Sequence, residues 1–477
     1  MDIIHRSAVE MIEGLDRKEF TSVELVSAHI ERIQSIHPSL NALVCERFEQ
    51  ALAEAKEADR RRREQEDLPL LGMPITVKET LDVEGFPTTG GLSKHRHRRA
   101  TKDAEVIRRI RRAGAIILGK TNVSTLTMAH ETDNLLYGRT NHPLDHSRTP
   151  GGSSGGEAAL IASFASPWGI GTDLGGSIRL PAHCCGIAGF RPTHEEIPHE
   201  GEYPDIPHHG HMNAIGPMAR WTGDIRLLYA VMRGKEVATP DVRSISVVWA
   251  GPLYGCPVER EVWTGLQKVI SDWEQAMGKR IPTKPPGFFK ESFQYWLDMI
   301  LQDGGAFIRK EVGGSDFHLG REWWRWVTGR KKVHLWVLQL LLGGKWFRPH
   351  SRRINQFSQL LSSFRRQFRE VTGEEGVLLC PVYPRTAPRH GGITQMVYNN
   401  LGSRVLPYLV MANALDCPAM TVPVGETQKG FPFGIQIVGH PGQEERVLAV
   451  AESLEAVCRD NRTTVKSEAA LASSPSI

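Results

Sequence analysis

The spacing of apolar residues predicts helices over residues 1–66 and alternating strands and helices over residues 70–190. Residues 1–66 carry apolar side chains at helical intervals, including SVELVSAHIERIQSIHPSLNALV, and end in the charged run ADRRRREQED, which is typical of a solvated helix face and turn. In DAEVIRRIRRAGAIILGKT a helical stripe ends at a glycine and a strand pattern follows. This alternation continues over residues 70–190 and predicts an α/β fold, a sheet with helices on both faces.

Residues 285–370 have a different pattern, helical and rich in tryptophan, without strand signals. The stretch REWWRWVTGRKKVHLWVLQLLLGGKWF mixes its tryptophans with arginine and lysine, and its longest apolar run is too short to span a bilayer. Those tryptophans are Trp323, Trp324, Trp326, Trp336 and Trp346. Three interpretations stay open: a lid over an apolar acyl channel, an interfacial patch that meets lipid, or a helical pair packed on the core.

Length, composition and charge indicate a large globular protein. The chain has 477 residues, of which 40% are hydrophobic and 23% charged, and its net charge of +4 gives no indication of a nucleic-acid partner. Seven cysteines without paired spacing favour a reducing compartment, and no signal peptide or membrane span is visible, so a cytoplasmic location is expected. Residues 1–465 are expected to form the enzyme domain, and the small polar residues 466–477 a disordered tail.

The segment from residue 151 to residue 193 carries a composition suited to catalysis. It holds two serine clusters in glycine-rich loops, GGSSGG with Ser153 and LGGSIR with Ser177. Glycines let successive backbone N–H groups close on one oxygen, so the second loop can supply both a nucleophile, Ser177, and donors for an oxyanion. The predicted donors are Leu174, Gly175, Gly176 and Ser177. The preceding SPWGIGTDL predicts a short buried strand that holds the loop; an ordinary glycine turn is the alternative.

Lys78, in GMPITVKET, is the candidate base that would accept the serine proton. It stands in an alternating strand pattern that places it opposite Ile75 and Val77. From a reference pKa near 10.4, a neutral amine at pH 7 costs about 4 to 5 kcal/mol, which burial must offset. A solvated surface lysine is the alternative. Ser153 is positioned in the chain to relay the proton, and its glycine-flanked turn permits an unusual backbone such as a cis peptide.

Other chemistries fit the sequence less well. Residues 151–155 match the G-x-S-x-G pattern of a nucleophile elbow, but the polar, proline-broken NHPLDHSRTP precedes them instead of an apolar strand. His208, His209 and His211 lack the accompanying pattern of a metal site, so a solvated loop is expected, with no metal and no cofactor. Cys184 and Cys185 are expected to be packed in the core.

The segments GGSSGG, GTDLGGSIR and VKET, in this spacing, resemble the amidase signature family. The resemblance is specific over residues 72–193 and weaker over 376–440 and the first helix. It implies one large domain with a central twisted mixed β-sheet covered by helices on both faces, and a triad of Ser177, Ser153 (with a cis peptide) and Lys78. Within the family, the segment GGSSGGEAALI, with Glu157 after the second glycine pair, resembles fatty acid amide hydrolases more than transamidase subunits.

The resemblance further implies that Thr127 and Met128 border the substrate. The residues expected to support the triad are Ser154, Thr172, Asp173 and Arg179. Asp173 and Arg179 form either a pair that fixes the catalytic loop or a salt bridge without catalytic consequence.

The sequence therefore predicts a serine amide hydrolase that forms an acyl-enzyme on Ser177. An apolar or aryl substrate is expected, with side activity on esters and carbamates, including urethanes. The alternatives are a glutaminase-type subunit of a transfer-RNA-dependent amidotransferase and an inactive scaffold. The expected partners are small-molecule amides, esters or carbamates and no nucleic acid, with peripheral lipid contact through residues 321–347 and a homodimer as further hypotheses.

Overall fold

A computed structural model describes residues 3–206, 210–253, 255–346, 349–393 and 402–458. The helices, labelled α1 to α17 in chain order, are Ala8–Asp16, Ser22–Leu40, Phe48–Arg63, Glu105–Arg112, Gly155–Ala162, Arg179–Cys185, Thr222–Arg233, Arg260–Met277, Phe289–Leu301, Ala306–Gly313, Leu319–Val327, Leu335–Trp346, Ser351–Ile354, Phe357–Thr372, Gly402–Val405, Pro407–Leu415 and Glu444–Cys458. The strands, β1 to β12, are Leu43–Glu46, Pro74–Lys78, Ile116–Thr121, Asp133–Asn134, Gly138–Arg139, Trp168–Thr172, Ala188–Arg191, Ile215–Ala219, Val247–Trp249, Val377–Pro381, Ala419–Glu426 and Pro432–Val438.

Ten strands form one mixed sheet in the order β1-β3-β2-β6-β8-β7-β11-β12-β10-β9, which confirms the predicted fold class. The strands β3, β2 and β6 run parallel, as do β10 and β9, and the other pairs are antiparallel. Helices cover both faces, so the strands are apolar nearly throughout, as buried strands must be. The pairing of β7 with β11 joins the two sequence segments that carry the family motifs into a single sheet.

The parallel pairing of β2 with β6 brings the predicted base and the nucleophile loop together. Val77 lies opposite Ile170, so Lys78 and Thr172 end neighbouring strands at the same edge of the sheet. The carboxyl ends of parallel strands are the usual position of a site in such sheets. The chain turns there from β6 into the loop that ends at Ser177, and the short helix α6 follows.

One predicted helix extends too far. The apolar period predicts a helix that continues through NALV, but α2 ends at Leu40 and Leu43–Glu46 forms β1, at the sheet edge beside β3. Asn41 closes the helix with a left-handed φ of 51°. Asparagine adopts that conformation more readily than most residues, which ends the helix although the apolar period continues.

The tryptophan-rich insert is helical, as predicted: the described residues between 285 and 370 contain α9 to α14 and no strand. Helices α11 and α12 pack on each other and on an apolar cluster that includes Leu92 and Leu126. Trp323 and Trp324 stay exposed, at 41% and 68%. The side chain of Trp346 lies outside the described part of the chain, as do His208, His209 and the predicted tail 466–477.

Metal sites, membrane spans and disulfides are not found within the described residues. No cluster of three or more His, Cys, Asp or Glu side chains there has the arrangement of a metal site. No described helix combines the length and the apolarity needed to cross a bilayer. All seven cysteines are free thiols, and Cys184 and Cys185 lie buried in an apolar cluster with Leu180 and Ile187, as expected for packing residues.

Candidate active site

Lys78 is fully buried at the end of β2. Its Nζ lies 2.7 Å from Ser153 Oγ, 2.8 Å from Thr172 Oγ1 and 3.3 Å from the Thr172 carbonyl oxygen. Burial lowers the pKa of the Lys78 ammonium to about 7, and the negative charges of Glu202 and Asp173 partly oppose that shift. At neutral pH a large fraction of this amine is therefore unprotonated, which is the state that a general base requires.

Ser153 lies between the lysine and the second serine loop. The peptide bond between Gly152 and Ser153 is cis. A side chain at position 152 would place its Cβ 2.7 Å from the backbone of Glu131, so only glycine fits there. The N–H of Ser154 donates to the carbonyl of Ser177 over 3.2 Å and so joins the two serine loops directly.

Ser177 differs from the other two predicted triad members in its access to solvent. It is 5% exposed, whereas Lys78 and Ser153 are completely buried. Of the three residues, Ser177 is therefore the one that has some surface in contact with solvent. This order of burial agrees with a nucleophile at the mouth of the site and a base behind it.

A buried carboxylate organises the loop that leads to Ser177. Asp173 accepts hydrogen bonds from the N–H groups of Gly176 (2.7 Å) and Ile178 (3.1 Å), and it forms a fully buried ion pair with Arg179 at 2.9 Å. Burial alone would raise the pKa of Asp173, but the charge and hydrogen bonds of Arg179 outweigh it and hold the pKa well below the usual range. Asp173 therefore stays ionised and keeps the loop closed around it.

Arg179 extends this arrangement to the C-terminal part of the chain. Its guanidinium donates to Asn413 Oδ1 over 2.6 Å and to the Leu409 carbonyl over 2.7 Å. Both acceptors lie on Pro407–Leu415, which is distant in sequence from the serine motifs. The Asp173–Arg179 ion pair therefore connects the loop before Ser177 to the helix Pro407–Leu415 and holds the loop in place.

The four predicted oxyanion donors are not equivalent. The N–H of Gly176 is directed at Asp173 Oδ1 and is already occupied. Among the described residues, no acceptor engages the N–H of Leu174, Gly175 or Ser177. In this conformation those three groups remain available to a developing oxyanion.

The predicted substrate residues lie beside this loop. Leu126 and Thr127 have left-handed φ values of 53° and 58°, which non-glycine residues rarely adopt in succession. Met128 follows and packs against apolar clusters that include parts of the insert. His130 then bonds through Nε2 to the Gly175 carbonyl, 2.7 Å away, so the segment 126–130 is attached to the nucleophile loop.

Sequence motifs do not mark three residues of this region. Trp296, on α9 of the insert, donates its indole N–H to the Leu174 carbonyl over 2.9 Å, and His130 bonds to the next carbonyl along the loop. Glu202 is held by His199 at 2.6 Å and by Asn213 at 2.9 Å. No local pattern could have found these residues, since tryptophan, histidine and glutamate at irregular spacing are typical of packing or surface positions.

Glu157 has a structural environment that its motif did not indicate. Its carboxyl group is fully buried, with Thr76 Oγ1 at 2.6 Å and Thr121 Oγ1 at 3.0 Å. Burial raises the pKa of Glu157 to about 8, against the effect of these hydrogen bonds. The group is therefore mostly uncharged at neutral pH and fills the space beneath the triad without a strong opposing charge.

The two cysteines near the site are unsuited to nucleophilic attack. Burial raises the pKa of Cys184 and of Cys185 well above the usual value for a thiol. A thiolate is the reactive form of cysteine, and neither side chain supplies one near neutral pH.

Comparison with known proteins agrees with this geometry. The Amidase family model matches residues 24–254 and 289–448. Fatty-acid amide hydrolase 2-A of Danio rerio is 34% identical over 478 residues, which cover 94% of this chain and 88% of the relative. A glutamyl-tRNA(Gln) amidotransferase subunit of Methylococcus capsulatus is 28% identical over 500 residues, 94% of this chain and 96% of the relative.

The fold is also found among solved structures. A bacterial aryl acylamidase of the amidase signature family superimposes with a TM-score of 0.79 over 98% of this chain and 99% of its own, at 21% identity. At that level of identity, the comparison supports a shared fold but not a shared substrate. Since the family model covers most of the chain, from the first long helix to the last, this protein belongs to the amidase family and is an amide-hydrolysing enzyme.

Proposed function

We propose that the chain hydrolyses carboxylic amides through an acyl-enzyme on Ser177, with Ser153 as proton relay and Lys78 as base. The 2.7 Å contact between a fully buried lysine and the Ser153 hydroxyl carries this proposal. A lysine in that position is useful to catalysis because its amine is neutral near pH 7, whereas an exposed one would be protonated.

Neutral Lys78 draws a proton through Ser153 as the Ser177 hydroxyl oxygen bonds to the amide carbonyl carbon. The N–H groups of Gly175 and Ser177 stabilise the negative charge that develops on the carbonyl oxygen. The protonated lysine then returns the proton through Ser153 to the leaving nitrogen as the C–N bond breaks. Water attacks the acyl-enzyme by the same route and releases the acid.

The walls of the site favour an apolar or aryl substrate. Leu174 and Met128 are both part of the apolar cluster that the insert helix α9 joins, with Leu340 of α12 packed against it. We therefore propose that the insert acts as a lid over an acyl pocket and not only as a helical pair packed on the core. Esters and carbamates present the same carbonyl to Ser177, so we propose them as additional substrates.

A glutaminase-type subunit is the alternative function, and the similarity to the amidotransferase of Methylococcus capsulatus favours it. That activity acts on a small polar amide. The apolar residues around Leu174 and Met128 offer such a substrate few polar partners, so we give amide hydrolysis without a partner protein the preference.

We further propose that the surface of residues 321–347 contacts lipid. Trp323, Trp324 and Val327 expose 41%, 68% and 61% of their surface, and Lys331 lies 4.9 Å from the Trp326 ring centroid. Exposed aromatic residues beside cations are typical of an interfacial helix. The homodimer and the cytoplasmic location stay predictions of the sequence.

Ser177→Ala, Ser153→Ala and Lys78→Ala should each lower turnover, with the largest loss, about 10⁴-fold or more, for Ser177→Ala because it removes the nucleophile. The measurement is steady-state hydrolysis of a panel of p-nitroanilides, primary amides, aryl carbamates and p-nitrophenyl esters of graded acyl length. Ser163→Ala, outside the site, is the matched control. Full turnover by Ser177→Ala would refute the mechanism, and cleavage of glutamine alone would favour the glutaminase.

The acidic limb of the pH profile of kcat/KM should have its midpoint near pH 7, because only neutral Lys78 accepts the proton. Below that value, protonation of the amine lowers kcat/KM about tenfold for each pH unit, and above it the rate levels off. Stopped-time assays between about pH 5 and pH 10 with an anilide substrate measure this. A profile that is flat on both sides of neutral pH would contradict lysine as the controlling base.

Glu202→Gln should move the midpoint of the acidic limb of the kcat/KM profile to lower pH. The Glu202 carboxylate stabilises the charged form of Lys78, so its removal lowers the pKa of the lysine further. Glu200→Gln is the matched control, since that carboxylate belongs to the same loop but pairs with Lys102 at the surface. An unmoved limb in Glu202→Gln, or an equal shift in both variants, would contradict the assignment.

Trp323→Ser combined with Trp324→Ser should weaken sedimentation with vesicles of mixed neutral and anionic phospholipid at low salt, because two exposed indoles are lost from the interface. Hydrolysis of a water-soluble anilide should stay unchanged in the double variant. Equal sedimentation of wild type and variant, or no binding by wild type, would count against lipid contact.

A further inference from the structure

We propose that Trp296 and His130 are positioning residues that set the direction of the oxyanion-hole N–H groups before substrate arrives. This inference rests on the proposed acyl-enzyme at Ser177. It gives a role in the reaction to two side chains outside the serine loops. His130 lies in the segment 126–130, and Trp296 lies on α9 of the helical insert.

Two peptide units before Ser177 are held by these side chains. In a trans peptide, the C=O and the N–H point in opposite directions, so a bond to one fixes the other. Trp296 donates to the Leu174 carbonyl over 2.9 Å, and this holds the Gly175 N–H on the far side of the peptide from α9. That N–H is one of the three predicted donors that the described residues leave unoccupied.

The following peptide is held at both ends. The Gly175 carbonyl accepts from His130 Nε2 over 2.7 Å, and the Gly176 N–H donates to Asp173 Oδ1 over 2.7 Å. This unit cannot rotate without breaking two bonds. The Gly176 carbonyl in turn accepts from the Leu180 N–H over 2.7 Å, which fixes the Ser177 N–H on the opposite side of its peptide.

Glycine makes this restraint necessary. Gly176 has a φ of 99°, and two adjacent glycines leave the intervening peptide free to rotate at low cost. The Trp296 ring also occupies the space of a side chain at position 175, since a Cβ there would lie 2.7 Å from Cζ2 of the indole. The ring therefore packs on the loop as well as bonding to it.

Both donors are in their neutral form at pH 7, where the lysine titrates. Burial lowers the pKa of His130, so the ring is neutral, and a carbonyl acceptor at 2.7 Å places its proton on Nε2. An indole N–H does not ionise. The restraint thus acts separately from Lys78, and its loss should lower the rate without moving the pH profile.

The test uses Trp296→Phe, which keeps a ring but loses the N–H, and His130→Leu beside His130→Gln, which retains a donor. For Trp296→Phe and His130→Leu we expect kcat to fall about ten- to hundredfold with KM within about threefold, because a misdirected donor weakens binding of the transition state alone. The inhibition constant of an aldehyde or boronic acid that mimics the tetrahedral state should rise in parallel. The inhibition constant of the product carboxylate should stay unchanged.

His130→Gln should recover most of the rate that His130→Leu loses. Trp273→Phe is the matched control, because it removes an indole N–H bond of the same length, 2.9 Å, to Ser453 in the remote core. The midpoint of the acidic limb should be the same in all variants. Circular dichroism and melting temperature establish that each variant is folded.

Wild-type kcat in both Trp296→Phe and His130→Leu, or losses confined to KM, would overturn the inference. A loss in Trp273→Phe as large as that in Trp296→Phe would do the same, since the effect would then be one of general stability. Failure of the proposed function looks different: Ser177→Ala would keep its turnover, whatever the two positioning variants do.

Discussion

The site depends on one constraint, a lysine amine that is enclosed by the protein at the end of a central strand. Burial disfavours the ammonium, and the hydroxyls of Ser153 and Thr172 take the place of water around Nζ. Such a group is tolerated only when the surrounding chain is rigid enough to exclude solvent. The ten-stranded sheet, covered on both faces, supplies that rigidity.

A buried ion pair beside the lysine holds the shape of the site. Asp173 is committed to Arg179 and to two backbone N–H groups, so its charge is compensated locally while the nucleophile loop is held in shape. Removing one partner of a buried pair typically costs about 3 to 5 kcal/mol, so the loop is expected to depend on both Asp173 and Arg179. Glu157, largely uncharged, adds packing beneath the triad and little opposing charge.

The insert contacts both the loop before Ser177 and the segment around Met128. Its helix α9 carries the indole that bonds to the Leu174 carbonyl, and α12 carries Trp336, which donates to the Met128 carbonyl. Substitutions in the insert are therefore expected to change the position of the loop that carries Ser177.

Local sequence is enough to predict the chemistry and the fold class. Lys78, Ser153 and Ser177 stand in motifs whose glycines and strand pattern have a direct physical meaning, and the alternation of strands and helices predicts the sheet. The folded chain alone reveals which N–H groups remain free, how Arg179 reaches Asn413, and that Trp296, His130 and Glu202 border the site. These contacts join residues far apart in the chain, and their strength comes from burial and direction, which spacing along a sequence does not encode.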